Sequence, residues 1–295
     1  MIEGVRAAVF DGEALVVVDD LCVAEPGPGE VTVRVLASGI CHSDLNVLDG
    51  TVPVPAPVVL GHEGAGTVER VGPGITGWSV GDAVLLGGLT PCGTCRPCRT
   101  GHPSACPDAF GRGATPFTWR GRPVRSYANV SSFSSVVTVG ASQLTSTAGI
   151  AATSACVIGC AVTTGYGVAK NAAGITAGDR VAVIGIGGIG ANVLQTARLL
   201  GAARITAIDV DPGKEVAARL FGADSFELAG ADAGGPFDVV VECSGAPAAI
   251  DAALALTAAG GTTALVGLPP VGHRASFDVG RLMRGRRIVG SLAGD

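Results

Sequence analysis

Cys92, Cys95, Cys98 and Cys106 stand in the spacing C-x2-C-x2-C-x7-C, with Gly93 and Pro97 between them to tighten the chain. Four thiolates delivered so closely can close a tetrahedron around Zn2+, and a site whose ligands all come from protein is structural. The competing chemistry is a pair of disulfides in a secreted domain. Met1-Ile2-Glu3-Gly4-Val5-Arg6 has mixed charge and no long apolar stretch, so no secretory leader is expected. The thiols should therefore stay reduced and bind metal.

A second chemistry is written in Gly185-Ile186-Gly187-Gly188-Ile189-Gly190, which follows the apolar run Arg180-Val181-Ala182-Val183-Ile184. A G-x-G-x-x-G turn between a strand and a helix can cradle a pyrophosphate on backbone amides at the helix start. Gly185 permits the turn, Gly187 admits the phosphates, Gly188 belongs to the same loop, and Gly190 lets helix and strand approach. Asp209 ends the next apolar segment. A carboxylate there accepts hydrogen bonds from adenosine ribose hydroxyls and repels a 2′-phosphate, which favours NAD over NADP. The bland alternative is a glycine-rich turn with a surface aspartate.

A third set is scattered. Cys41-His42-Ser43-Asp44, Gly61-His62-Glu63 and Cys160 offer two thiolates and one imidazole, a Cys2His set that leaves zinc an open position. Each residue alone reads as ordinary packing, and spacing does not say whether the three meet.

These residues need two kinds of scaffold. Up to about residue 155 the chain reads as short β-segments broken by Gly and Pro. Examples are Val31–Ala37, Gly64–Gly72 and Asp82–Leu86, with period-two alternation clearest in the first. From about residue 160 strands alternate with helices. Strands are expected at Arg180–Ile184, Arg204–Asp209, Ser225–Leu228, Phe237–Glu242, Gly261–Val266 and Arg287–Ser291. Helices are expected over Ala191–Leu200, Lys214–Leu220 and Ala248–Leu256, with 229–235 a shortened connection. Such alternation is the pattern of an α/β, doubly wound parallel sheet. The length of 295 residues allows two cores. A net charge of −5, with no basic aromatic-rich face, argues against nucleic acid. The apolar runs are strand-length, so no membrane span and a soluble cytoplasmic protein are expected.

In this order, Gly61-His62-Glu63, the four-cysteine lobe, Ile158–Gly167 and the dinucleotide loop resemble the zinc-dependent medium-chain alcohol dehydrogenases, and the resemblance runs over essentially the whole chain. It implies a GroES-like β-rich catalytic domain over residues 1–158, with the structural zinc lobe at about 90–108. A Rossmann NAD-binding domain over 159–295 follows, with the active site in the cleft between them. By position, Cys41, His62 and Cys160 would ligate the catalytic zinc, giving two zincs per chain. Asp44 would orient the histidine, Glu63 would stand behind the metal, and Ser43 would take the alcohol proton. His42 would contact the pyrophosphate. Thr164, Ile189, Val266 and Leu268 would line the nicotinamide, Lys214 would lie near the adenosine ribose, and Leu89 would face substrate. Asn46 stands where many members place a relay histidine, and it cannot titrate.

The expected activity is hydride transfer between a primary or aromatic alcohol and NAD+. A thiol-dependent formaldehyde (hydroxymethyl-thiol) dehydrogenase is the near alternative. Members of the family continue beyond the sixth strand to a final helix and a return to the catalytic domain. That return is expected to be missing from this chain, so a zinc- and nucleotide-binding protein without turnover is a third reading. The resemblance also implies a homodimer or homotetramer built through the Rossmann domain. Cys22, Cys156 and Cys243 are expected to be packing residues, and His102 and His273 solvated. Arg281, Arg284, Arg286 and Arg287 should form a solvated face, while Trp119 and Tyr127 fall in an insertion over 107–135 that could flank the substrate entrance.

Overall fold

The computed structural model describes residues 1–110 and 115–295, so residues 111–114 of the insertion lie outside the described residues. The chain divides into two compact units, Met1–Cys160 and Ala161–Asp295.

The first unit is β-rich. Strands Ile2–Phe10, Leu15–Val23, Phe117–Trp119, Arg122–Ser126 and Val58–Val59 close a barrel. A second sheet orders Leu144–Ser146, Ala83–Leu86, Glu63–Val71, Glu30–Gly39 and Val136–Gly140. Alternation along Glu30–Gly39 sends Val31 and Val33 into a core shared with Val9, Leu21, Val68, Leu86 and Phe117. Closure of the barrel satisfies backbone groups that an open sheet would leave unpaired. The long antiparallel ladder between Glu30–Gly39 and Glu63–Val71 ends with Gly39 opposite Glu63. That ladder brings the segments just after position 39 and just before position 63 side by side.

In the second unit six parallel strands run in the order Ser225–Leu228, Arg204–Asp209, Arg180–Ile184, Phe237–Glu242, Thr257–Leu265, Arg287–Gly290. Strands of a parallel sheet are covered on both faces and read as unbroken apolar runs. Val181, Ala182, Val183 and Ile184 are accordingly all buried. The reversal of strand order falls beside Arg180–Ile184, and in such sheets ligands bind outside the carboxyl ends of the strands at that point.

Helix boundaries differ from the sequence expectation at one informative place. The helix expected from Ala191 spans Gly188–Leu199, so the second half of the glycine motif is its first turn. Gly190 lies inside that helix, and it must be glycine there because a Cβ would lie 2.0 Å from the Gly185 carbonyl oxygen. In the arginine run Arg281, Arg284 and Arg287 are exposed as expected and Arg286 is half-buried, and three of the four also make hydrogen bonds to the fold. Arg281 donates to the Ala255 carbonyl at the end of helix Pro247–Leu256, Arg286 to the Thr257 and Arg281 carbonyls, and Arg287 to the Thr262 hydroxyl. Helix C-termini leave carbonyls without partners, and a guanidinium satisfies them. Among the described residues no single helix is long and apolar enough to cross a membrane.

Candidate metal and dinucleotide sites

Cys41 precedes helix His42–Leu48 as its N-cap residue. The Asp44 carboxylate reaches back to accept from the Cys41 amide at 3.0 Å, from the Gly61 amide at 3.0 Å and from His62 Nδ1 at 3.3 Å. One buried carboxylate thus fixes the two segments that the long ladder brought together. It also leaves His62 Nε2 as the free coordinating nitrogen, 3.4 Å from Ser43 Oγ. Gly61 has φ +84, and a Cβ there would lie 2.4 Å from Phe133, so a side chain at 61 would collide with that ring. Cys160 arrives from the other side. A Cβ on Gly159 would sit 2.2 Å from the Leu86 carbonyl oxygen, so only glycine lets that turn lie flat on strand Ala83–Leu86.

The Cys41 and Cys160 sulfurs and a His62 ring nitrogen all lie within 4.8 Å of one another. Their protonation fits a metal site. A hydrogen bond from Cys160 draws the Cys41 thiol down to about 3, against the opposing effect of burial, with help from His62 and Ser43. The Cys160 thiol is raised by sharing its proton with Cys41 and by burial. Burial by itself would lower His62, but hydrogen bonds to Asp44 and Cys41 overcome it and raise the imidazole to about 10. A divalent cation replaces these shared protons as the positive charge among the ligands. Glu63 is buried behind the cluster. A Cβ on Gly39 would fall 2.0 Å from its Oε2, so Gly39 makes the space the carboxylate occupies.

Cys92, Cys95, Cys98 and Cys106 form the other convergent set, also within 4.8 Å. Amides of Cys95, Cys92 and Asp108 point at the sulfurs of Cys92 (3.3 Å), Cys106 (3.4 Å) and Cys106 (3.4 Å) respectively. Hydrogen bonds from the Thr94 hydroxyl and amide, then from the Cys95 amide, lower the Cys92 thiol to about 6. N–H groups aimed at sulfur favour the thiolate, which is the metal-binding form. Both donor sets fit zinc.

In the second unit the Asp209 carboxylate accepts from the Ile186 amide at 2.6 Å and from the Asp211 amide at 3.0 Å, which fixes the glycine turn against the neighbouring strand end. Apart from the adjoining backbone, no atom of the described residues lies within 4 Å of where a Cβ on Gly187 would be, so the turn has open space beside it. Ile189 is partly buried on the helix, Thr164 is buried on helix Ala161–Gly167, Val266 is buried and Leu268 half-exposed after strand Thr257–Leu265. Lys214 ends the short turn Pro212–Lys214. In the first unit, His42 is exposed and Leu89 partly buried.

The profile of the alcohol dehydrogenase GroES-like domain matches residues 27–149, and that of the zinc-binding dehydrogenases matches residues 188–295. The S-(hydroxymethyl)glutathione dehydrogenase of Aspergillus oryzae is 35% identical over 91% of this chain and 76% of its own length. The chain belongs to the zinc-dependent alcohol dehydrogenase family. It is an oxidoreductase of a family that uses zinc and a nicotinamide dinucleotide. Among solved structures, benzyl alcohol dehydrogenase from Acinetobacter calcoaceticus superposes with a TM-score of 0.90 at 31% identity, covering 98% of this chain and 84% of that one. Acetophenone reductase from Geotrichum candidum, solved with NAD, gives 0.83 at 31% identity, covering 100% and 84%.

The sequence gives no sign of the part played by one residue of this dehydrogenase and only a loose one for another. Gly39 gave no signal, because its neighbour Glu63 is distant in sequence. Tyr127 was only an aromatic in an insertion. Its hydroxyl donates to the Ser43 carbonyl at 3.1 Å, and its ring meets the His62 imidazole edge-on, with centroids 5.6 Å apart. Trp119 lies on barrel strand Phe117–Trp119 and its ring nitrogen donates to Asp20.

Proposed function

We propose that this chain oxidises a primary or aromatic alcohol to the aldehyde or ketone with NAD+, using Cys41, His62 and Cys160 as ligands of a catalytic zinc. The observation that carries the reading is the convergence of those three ligand atoms with Ser43 beside His62. Zinc bound there supplies Lewis acidity that polarises a substrate oxygen and lowers its pKa, and NAD+ supplies the hydride acceptor. Asp44 holds the imidazole in the tautomer that presents Nε2. Tyr127 keeps the Ser43 turn in place through the carbonyl it binds, and Ser43 Oγ takes the alcohol proton. His42 meets the pyrophosphate, while Thr164, Ile189, Val266 and Leu268 line the nicotinamide and Lys214 attends the ribose. Four thiolates in the lobe structure the first unit and suit a reducing, cytoplasmic setting.

Asp209 sets the nucleotide preference. Asp209→Ala removes charge-assisted acceptors worth roughly 1.5–3 kcal/mol, so KM for NAD+ should rise about 10–100-fold and the preference over NADP+ should shrink. An unchanged ratio of kcat/KM for the two nucleotides would refute this role.

The proton must leave Ser43 without a titrating neighbour at position 46, where Asn46 is buried, 7% exposed. Asn46→His introduces a group that titrates near neutrality and should add an inflection to the pH profile of kcat/KM. Superimposable profiles would exclude a relay through this position.

The resemblance to the Aspergillus oryzae enzyme favours a second reading, oxidation of a hydroxymethyl-thiol adduct. NADH formation should be measured across primary and aromatic alcohols, and with formaldehyde in the presence and absence of glutathione. Turnover of alcohols alone supports the first reading, and turnover of formaldehyde only with thiol supports the second. No turnover, with a single zinc per chain, would sink both. A homodimer or homotetramer through the nucleotide-binding unit completes the proposal, and the edge strand Arg287–Gly290 offers backbone groups for such pairing.

A further inference from the structure

The four-cysteine lobe leaves the first unit's body at Thr90 and returns at Ala109, and both points are tied together. The Thr90 amide donates to the Ala109 carbonyl at 2.7 Å, and its hydroxyl donates to the Asp108 carbonyl at 3.0 Å. The same hydroxyl oxygen accepts from Asn129 Nδ2 at 3.1 Å. That carboxamide also donates to the Gly88 carbonyl at 2.9 Å and lies 3.4 Å from the Ala109 carbonyl. Its two N–H groups therefore meet acceptors from the outgoing segment, the returning segment and the residue just before Leu89. Asn129 is itself pinned, because Gln143 Nε2 donates to its carbonyl at 3.0 Å and to the Gly87 carbonyl at 2.9 Å, while the Gly87 amide donates to the Gln143 carbonyl at 2.8 Å. The backbone at Asn129 is left-handed, φ 60, a conformation asparagine tolerates better than most residues. Gly88 is confined too, since a Cβ there would stand 3.0 Å from the Ala128 carbonyl oxygen.

We infer that Asn129 is a positioning residue whose carboxamide fastens both ends of the four-cysteine lobe to the Gly87–Leu89 segment, so that the closed lobe sets where Leu89 stands. The inference rests on the proposed reading in one respect, that Leu89 faces substrate. It assigns the lobe a second task beyond holding its own fold: its base is one wall-bearing element of the substrate pocket.

Two substitutions test it in the zinc-loaded protein. Asn129→Gly keeps the left-handed backbone without strain and deletes only the carboxamide. Asn129→Asp keeps the shape but turns two donors into an anionic acceptor facing three oxygens. Hydrogen–deuterium exchange of the amides over 92–106 reports the lobe directly, and KM and kcat for a medium-sized alcohol report Leu89. For Asn129→Gly, lobe exchange should quicken about tenfold, as expected for losing a hydrogen-bonded anchor. KM should rise about tenfold, with kcat within twofold of the parent. Asn129→Asp should exceed Asn129→Gly in both readouts, an order opposite to that of a side chain that merely fills space. Unchanged lobe exchange in both variants would overturn the fastening. Faster exchange with an unmoved KM would overturn the link to Leu89. Absence of alcohol turnover in the parent would count against the proposed activity, while lobe exchange would still decide whether Asn129 fastens the lobe.

Discussion

Cys160→Ala is expected to cut NADH formation by on the order of 10³-fold or more, since Lewis-acid stabilisation of a developing oxyanion is worth several kcal/mol and each 1.36 kcal/mol is a decade in rate. With one sulfur gone, Cys41 and His62 remain as a two-ligand site, too few to hold zinc against water at ordinary concentrations. Zinc per chain should fall from two to one, and the far-ultraviolet circular dichroism should not change, because Cys160 ends a short turn rather than a core element. Alanine also deletes the hydrogen-bond partner that holds the Cys41 thiol low, so the remaining pair is worse prepared to ligate. Retention of most activity, or of both zincs, would show that the three residues do not share an ion.

Cys106→Ala should have the largest effect on stability. Cys106 is 5% exposed and accepts amides from Cys92 and Asp108, so its loss removes a metal ligand and strands two donors. Structural zinc contributes about 10–16 kcal/mol of apparent binding free energy in small zinc peptides. Secondary structure does little to hold the lobe between its tied ends: Arg96–Arg99 is a single helical turn with no buried residue, far below the length at which a helix is stable alone. Losing even about 4 kcal/mol of that contribution should lower Tm by roughly 10 °C, with protease cleavage appearing between residues 92 and 106. Chelation of the parent protein should reproduce both effects. An unaltered Tm with the lobe metal gone would mean the lobe folds without it.

Much of the second unit is legible in the chain itself. Strand residues that are buried on both faces leave continuous apolar runs, and Arg180–Ile184, Arg204–Asp209 and Phe237–Glu242 occupy the expected positions. The boundary of helix Gly188–Leu199 was less legible: the motif marks Gly190 as a close-approach glycine, which the Gly185 carbonyl bears out, but glycine's low helix propensity hides that the helix begins at Gly188. Arg281 and Arg287 are exposed as the sequence suggests, but the acceptors of Arg281, Arg286 and Arg287, the carbonyls of Ala255 and Thr257 and the Thr262 hydroxyl, lie well back in sequence and leave no local sign.

The amino-acid sequence by itself determined what short stretches of chain can do. Four cysteines within fifteen residues are held near one another by the short chain between them, and a strand, a glycine turn and a helix in succession raise amides toward an anion. Only the tertiary structure decided which distant groups share a place. The antiparallel ladder from Glu30–Gly39 to Glu63–Val71 brings Cys41 to His62, and the packing of Gly159 on Leu86 brings Cys160 to both. Asn129 and Tyr127 acquire their contacts the same way. Local geometry is fixed by covalent reach, whereas convergence across a hundred residues is fixed by sheet register and close packing, and no spacing of letters encodes either.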